Sequence, residues 1–310
     1  MKLDLSVDFC GKKLRNPLIL ASGILGTEAE LLARVAKTGL GAVTTKSCGL
    51  FPRPGHENPT VLAWEHGLIN AVGLTNPGVK QEVKEIIKLK KLAKSTGCKI
   101  IASFFGCTVN EFGQVAKVLV KAQPDFLEAN ISCPNTMDEF GRPFASVPED
   151  TFKVTKLIKK VTKIPLIVKL TYNVSDITVI GKAAQEGGAD ALSMINTVQA
   201  LIIDIESGKP ILANKVGGIS GPAVKPLALA WVYKASQACK IPIIGLGGVT
   251  YGKDAIEMIM AGAMAVGVGS ATYYRGIDVF SKITAEMEDW MNTHKVRSLA
   301  QIRGIAHAKN

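Results

Sequence analysis

Paired cysteines are missing from this sequence. Its six cysteines (Cys10, Cys48, Cys98, Cys107, Cys133 and Cys239) are scattered, with no C-x-x-C pair. That argues against a zinc site or an iron–sulfur cluster held by this chain alone. It also suits a reducing compartment better than a disulfide framework. Aromatic residues make up only 6% of the chain, few for stacking bases, and no RNA- or DNA-binding motif is present. There are four histidines, His56, His66, His294 and His307, and no spacing among them that suggests a pair. No run approaches the roughly 20 unbroken apolar residues of a membrane helix. The opening "MKLDLSVDFC" puts charges where a signal peptide would place its apolar segment. A cytoplasmic protein is expected, with no membrane, nucleic-acid or metal site.

What is present is a core and a positive charge. Of 310 residues 47% are hydrophobic and 20% charged, as in a globular protein with a sizeable interior. The net charge of +11 comes from 37 basic and 26 acidic side chains. Much of the lysine sits on helix-period segments such as "VKQEVKEIIKLKKLAKSTGCK" and reads as solvated surface. Such a surface also attracts anionic small molecules or an acidic protein partner.

Eight short β-rich runs alternate with amphipathic segments. The runs are 17–23, 41–47, 99–106, 126–133, 165–171, 191–197, 241–247 and 263–269. Segments such as "EAELLARVAKTG", "NEFGQVAKVLVKAQ" and "SDITVIGKAAQEGG" lie between them, with apolar residues every three or four positions. Continuous apolar strands are buried on both faces, which implies a parallel sheet. Eight strand–helix units predict a single (β/α)₈ (TIM) barrel over 1–310. A doubly wound open sheet is the alternative, but the G-x-G-x-x-G turn expected after its first strand is absent. Two connections, 48–76 and 198–222, exceed simple barrel turns, and each is expected to hold an extra hairpin on the C-terminal face.

The strand ends carry Ser22, Thr45, Lys46, Ser103, Asn130, Cys133, Lys169, Asn196 and Thr197. Singly, each has an ordinary structural reading; together they would meet at one barrel mouth. The glycine-rich turns "GLGGVTYGKD" (245–254) and "GVGSATYYRG" (267–276) follow the last two strands, where barrels often hold phosphate on backbone amides and a helix N-terminus. Cys133 is the best-placed group for proton transfer, since a thiol of pKa about 8.5 is readily tuned by lysine charge.

The motifs "NISCPN" (130–135), "INAVGLTNPG" (69–78), "INT" (195–197) and "GGISGPAVKP" (217–226) together resemble the class 1 dihydroorotate dehydrogenases, and most of all the class 1B catalytic subunit. The resemblance covers essentially the whole chain. It implies an FMN-containing barrel, one FMN per chain, that oxidises dihydroorotate to orotate in pyrimidine biosynthesis. Cys133 would then be the base at C5 while the C6 hydride passes to the flavin. Lys46, Asn70, Ala71, Val72, Gly73, Leu74, Asn130, Asn196 and Thr197 would bind substrate, and Asn135 would join them. Ser22, Thr45, Lys46, Asn130, Ile195 and Gly221 would contact the flavin, Lys169 would face its N1 region, and Gly247, Gly248, Gly269 and Ser270 would hold its phosphate. The resemblance also implies a partner subunit with FAD and a [2Fe–2S] cluster passing electrons to NAD, within a homodimer or heterotetramer; class 1A relatives use fumarate. Departures from the family pattern are Ser103, where asparagine is usual, a long charged segment "TMDEFGRPFASVPED" after Cys133, and the additional thiols Cys48 and Cys107, read as structural.

Three other readings remain at this stage. A dihydropyrimidine dehydrogenase-like enzyme would act on uracil or thymine and would prefer dihydrouracil to dihydroorotate. A flavin-free barrel lyase or isomerase would use Lys169 as a Schiff-base amine, trapped by borohydride. A non-catalytic binding subunit would hold ligand without turnover.

Overall fold

The computed structural model describes residues 3–25, 28–132 and 144–308. Sixteen strands run in chain order: β1 (Val7–Phe9), β2 (Lys12–Leu14), β3 (Leu18–Leu20), β4 (Ala42–Thr44), β5 (Val61–Trp64), β6 (Gly67–Asn70), β7 (Lys99–Phe104) and β8 (Phe126–Asn130), then β9 (Leu166–Lys169), β10 (Ala191–Met194), β11 (Val198–Ala200), β12 (Ile203–Asp204), β13 (Lys209–Pro210), β14 (Gly217–Ser220), β15 (Ile243–Leu246) and β16 (Ala265–Val268). Eight of them, β3-β4-β7-β8-β9-β10-β15-β16, close into a parallel barrel. These are the eight runs expected from the sequence, each trimmed to the residues that pair. Their side chains are buried on both faces in β3, β4, β8, β9, β10 and β16, which is why they read as continuous apolar runs.

Helices lie between and after the barrel strands: α1 (Ala29–Ala36), α2 (Val79–Leu92), α3 (Val109–Leu119), α4 (Pro148–Val161), α5 (Ile177–Glu186), α6 (Lys225–Ala238), α7 (Gly252–Met260), α8 (Ala271–Arg275) and α9 (Val279–Thr293). Short polar residues start two of them. Thr108 accepts the Glu111 amide at α3 and Asp176 accepts the Thr178 amide at α5, each satisfying one of the leading N–H groups a helix leaves unpaired.

Side-chain alternation divides each strand between wall and interior. Along β8, Leu127 and Ala129 face the surrounding helices, while Phe126, Glu128 and Asn130 share the other face. The base of this interior is closed by the β1–β2 hairpin: Phe9 packs edge-on to Phe126, with ring centroids 5.6 Å apart. Lys12 approaches Asp125 at 3.6 Å, and the Cys10 thiol donates to the carbonyl of Asp190. Parallel register sets Glu128 beside Ser103 and Asn130 beside Lys169. The barrel interior is therefore aromatic at the bottom and polar at the top.

The two long connections do contain hairpins: β5–β6 in the first, and β11–β14 in the second, with β12–β13 forming a separate two-stranded sheet. β6 also pairs with β14, giving a four-stranded antiparallel sheet in the order β11-β14-β6-β5. A lone two-stranded hairpin is marginal in water; joining the insertions gives each a neighbour and carries Asn70 to Gly218.

Candidate active site

At the mouth, polar side chains from five strand ends form one hydrogen-bonded arc. The Asn196 Nδ2 donates to Ser132 Oγ (3.0 Å), whose hydroxyl donates to Asn130 Oδ1 (2.8 Å). Asn130 Nδ2 donates to Ser47 Oγ (3.2 Å), which lies 2.8 Å from Ser103 Oγ. Ser103 in turn donates to Glu128 Oε1 (3.0 Å). Ser22 Oγ joins from β3, donating to the carbonyl of Thr45 (2.9 Å) and lying 3.1 Å from Ser47 Oγ. Ser103 is fully buried and its hydroxyl is spent inside this arc. Ser47, Glu128 and Ser132 were not singled out in the sequence. For Glu128 and Ser132 the signal is the two-residue alternation in "LEAN" and "NIS", which sets them on the same face as Asn130; Ser47 lies beyond the end of β4 and has no such signal.

Thr45 departs from its neighbours. Its hydroxyl accepts from the Ser103 amide (3.4 Å) and lies near the Glu82 carboxyl of α2, so the side chain belongs to the wall. Lys46 points over the end of β3, its Nζ 3.4 Å from where a β-carbon on Gly23 would stand. Lys169 is 5% exposed and pairs in register with both Asn130 and Ser193. Its ammonium has no hydrogen-bond or ion-pair partner among the described residues. A buried ammonium lacking an anionic partner is costly, and its position suits an anionic or electron-rich ring atom.

The insertion sheet forms the roof. Asn70 Nδ2 donates to the carbonyl of Gly218 (3.2 Å), and a β-carbon on Gly218 would fall 2.1 Å from Thr197 Oγ1. Asn196 Oδ1 accepts the Thr197 amide (2.8 Å). Ala71, Val72, Gly73 and Leu74 wrap around His56, whose Nδ1 lies 3.0 Å from the carbonyl of Ala71 and whose amide donates to Val72. His56 thus shapes the expected substrate loop, a role its spacing in the sequence did not signal. Asn70, Thr197, Asn196 and Asn130 are brought together here. Cys133 and Asn135, and most of the charged segment that follows, lie outside the described residues.

On the other side stand the two glycine-rich turns. Ile195 is buried, donates its amide to Leu246 (2.8 Å) and packs near Gly247. Gly248 and Gly221 have touching backbones, and Gly269 with Ser270 follows the adjacent strand, β16. Three amides leading into α7, those of Thr250, Tyr251 and Gly252, are already taken. Asp254 Oδ2 accepts those of Thr250 and Tyr251, and Glu286 Oε2 accepts that of Gly252. Asp254 also pairs with Lys225 at 2.7 Å. The anion grip expected from this turn therefore narrows to its glycines. Gly248 has φ +73°, and a β-carbon there would lie 2.6 Å from the Lys225 nitrogen and 2.8 Å from the Gly221 oxygen. Both are backbone atoms. Gly248→Ala is expected to combine this clash with left-handed strain of ~1–3 kcal/mol and to yield folded protein depleted of cofactor. Cofactor-to-protein absorbance ratio checks this; a wild-type ratio counts against it.

Cys48 is buried in the continuation of β4, its amide bonded to Ser103 and its thiol pushed up in pKa by burial, with the Glu82 charge adding to it. Cys107 is exposed. Among the described residues no cluster of three potential metal ligands occurs, and no helix is long and apolar enough to cross a membrane.

A closed parallel barrel with amides and a buried lysine at one mouth, and glycine turns after its last two strands, has the layout of an α/β-barrel enzyme with its site at the C-terminal face. The family model described as Dihydroorotate dehydrogenase matches residues 4–291. Relatives named dihydroorotate dehydrogenase B (NAD(+)), catalytic subunit, occur in Methanosarcina mazei (47% identical, covering 96% of this chain and 93% of the relative), in Methanocaldococcus jannaschii (44%, 98% of both) and in Pyrococcus abyssi (44%, 97% and 99%). The chain belongs to the dihydroorotate dehydrogenase family, on the class 1B side expected from its motifs. Membership implies a flavin cofactor, and the residues present fit one: the Lys169 ammonium, without a partner among the described residues, and the glycine turns supply a cation and close backbone approach.

Proposed function

We propose that this chain oxidises (S)-dihydroorotate to orotate in pyrimidine biosynthesis, acting over residues 1–310 as one catalytic domain. The observation that carries the reading is the meeting of Asn130, Asn196, Thr197 and Asn70 beside Lys169 at one mouth. A dihydropyrimidine ring alternates donors and acceptors around its edge, and asparagine amides offer both. Lys46, with the loop from Asn70 through Leu74, receives the substrate carboxylate. Cys133 takes the C5 proton. The cofactor is FMN, one per chain, which when bound supplies the hydride acceptor. Lys169 holds a fixed positive charge toward its ring; Ser22, Ile195, Gly221 and the Thr45 backbone flank it; Gly247, Gly248, Gly269 and Ser270 hold its phosphate.

The relatives' names, "catalytic subunit" and "NAD(+)", support a partner that carries electrons onward to NAD. We assign to it FAD and a [2Fe–2S] cluster, within a heterotetramer built on a homodimer in the cytoplasm. An anaerobic visible spectrum before and after adding dihydroorotate tests the activity. The expected result is a flavin absorbance that bleaches with dihydroorotate and persists with dihydrouracil. A flavin that ignores dihydroorotate, or responds only to dihydrouracil, overturns the reading.

A further inference from the structure

The arc at the mouth has a direction. Ser103 donates its single hydroxyl hydrogen to Glu128 Oε1, so toward Ser47 it can only accept. Ser22 has likewise spent its hydrogen on the Thr45 carbonyl, so Ser47 donates to Ser103 across their 2.8 Å contact or to Ser22 at 3.1 Å, and toward Asn130 it can only accept. That requires Asn130 to present its Nδ2 to Ser47 and its Oδ1 to Ser132, as found at 3.2 and 2.8 Å. Ser132, having donated to Asn130, accepts from Asn196 Nδ2 at 3.0 Å. The Asn196 Oδ1 is held independently by the Thr197 amide at 2.8 Å. Every hydroxyl hydrogen in this run is committed, and each asparagine keeps one N–H and one lone pair for a ligand.

An asparagine amide is nearly symmetric in shape, so only its hydrogen bonds decide which end is nitrogen. The acceptor at the far end of the run is Glu128, 4% exposed and deep in the barrel interior, with Ser103 fully buried above it.

We propose that Glu128, acting through Ser103 and Ser47, is a positioning residue that fixes the amide orientation of Asn130 and so the donor–acceptor pattern offered to the pyrimidine ring. The proposal rests on the pyrimidine reading of the same mouth. None of the three needs to touch substrate. Cutting the run at Ser103 removes the shorter of the two acceptors of Ser47 and leaves only Ser22 at 3.1 Å, so that the Ser47 hydroxyl can turn to donate toward Asn130 and allow the flipped amide. Part of the population then meets the ring with like groups opposed.

The test is orotate binding, read as the perturbation of the flavin spectrum in the loaded protein. Ser103→Ala is expected to weaken orotate about tenfold, the scale of one net hydrogen bond, with flavin content and reduction by dithionite unchanged. Ser103→Thr keeps the hydroxyl and is expected to restore wild-type binding. If Ser103→Ala does not fold or hold flavin, Ser47→Ala cuts the run one step nearer Asn130 and is expected to show the same loss. Wild-type orotate affinity in the alanine variant, or no recovery with threonine, overturns the proposal. Failure of the wild-type protein itself to bind orotate would instead refute the pyrimidine reading.

Discussion

Replacing Cys133 by alanine is expected to slow reduction of the bound flavin by dihydroorotate at least ~100-fold, the lower end of what a general base contributes. In sequence Cys133 directly follows Ser132, whose hydroxyl is hydrogen-bonded to both Asn130 and Asn196. A free thiol with a pKa of about 8.5 is only partly ionised at neutral pH, and nearby lysine charge raises its thiolate fraction. Alanine removes the proton acceptor and leaves the proposed flavin contacts in place. The flavin content and the rate of reduction by dithionite should therefore match wild type. Stopped-flow absorbance under anaerobic conditions separates these quantities. Cys133→Ser should fall between the two, since a hydroxyl is a weaker base than a thiolate. A dihydroorotate rate within a few-fold of wild type in the alanine variant would remove Cys133 from the mechanism.

The second large effect concerns Glu82, one turn into α2. Its side chain is fully buried, and neither carboxyl oxygen has a hydrogen-bond partner of standard geometry. Burial raises its pKa from an ordinary 4.5 to about 7; the Thr45 hydroxyl opposes the rise, and the charge of Glu85 adds slightly to it. In the folded protein the group therefore keeps its proton over a range where the unfolded chain has lost it. Its contribution is fully present below pH 4.5, declines as pH rises from there, and is gone once pH has passed the folded value near 7. At about 1.4 kcal/mol for each pH unit separating the two values, the loss comes to ~3–4 kcal/mol. Glu82→Gln has the shape of the protonated acid and cannot ionise. Urea unfolding at pH 5 and pH 8 should show the variant gaining on wild type by most of that amount between the two conditions. Parallel pH dependences in the two proteins would show that Glu82 does not ionise as described.

Much of this protein is legible in one dimension because parallel strands buried on both faces must be apolar throughout. The runs around Leu18–Leu20, Phe126–Asn130 and Ala265–Val268 announce themselves for that reason, and glycine and short polar caps mark the helices between them. The polar residues that interrupt the runs at their C-terminal ends, Lys46, Asn130, Lys169 and Asn196, stand out for the same reason: a charge or amide at the end of a buried strand needs a partner or a purpose.

Other features depend on contacts between residues far apart in the chain. Ser47, Ser103 and Glu128 come from three strands, and only their register shows that one side chain accepts from the next. The two insertions read as separate hairpins because pairing of Asn70 with Gly218 has no local signature. Thr45 and Lys46 are neighbours in sequence, yet one lies in the wall and the other over the mouth, because alternation along the strand sends adjacent side chains opposite ways. The α7 turn shows the same division: its glycines suggested an anion grip, while Asp254 and Glu286 already occupy the amides of Thr250, Tyr251 and Gly252 at the helix entrance. By itself the sequence determined the barrel, its mouth and the family, since these follow from hydrophobic periodicity and short contiguous motifs. The tertiary structure decided how the donors and acceptors point, because a hydrogen bond's direction depends on what each partner has already given elsewhere.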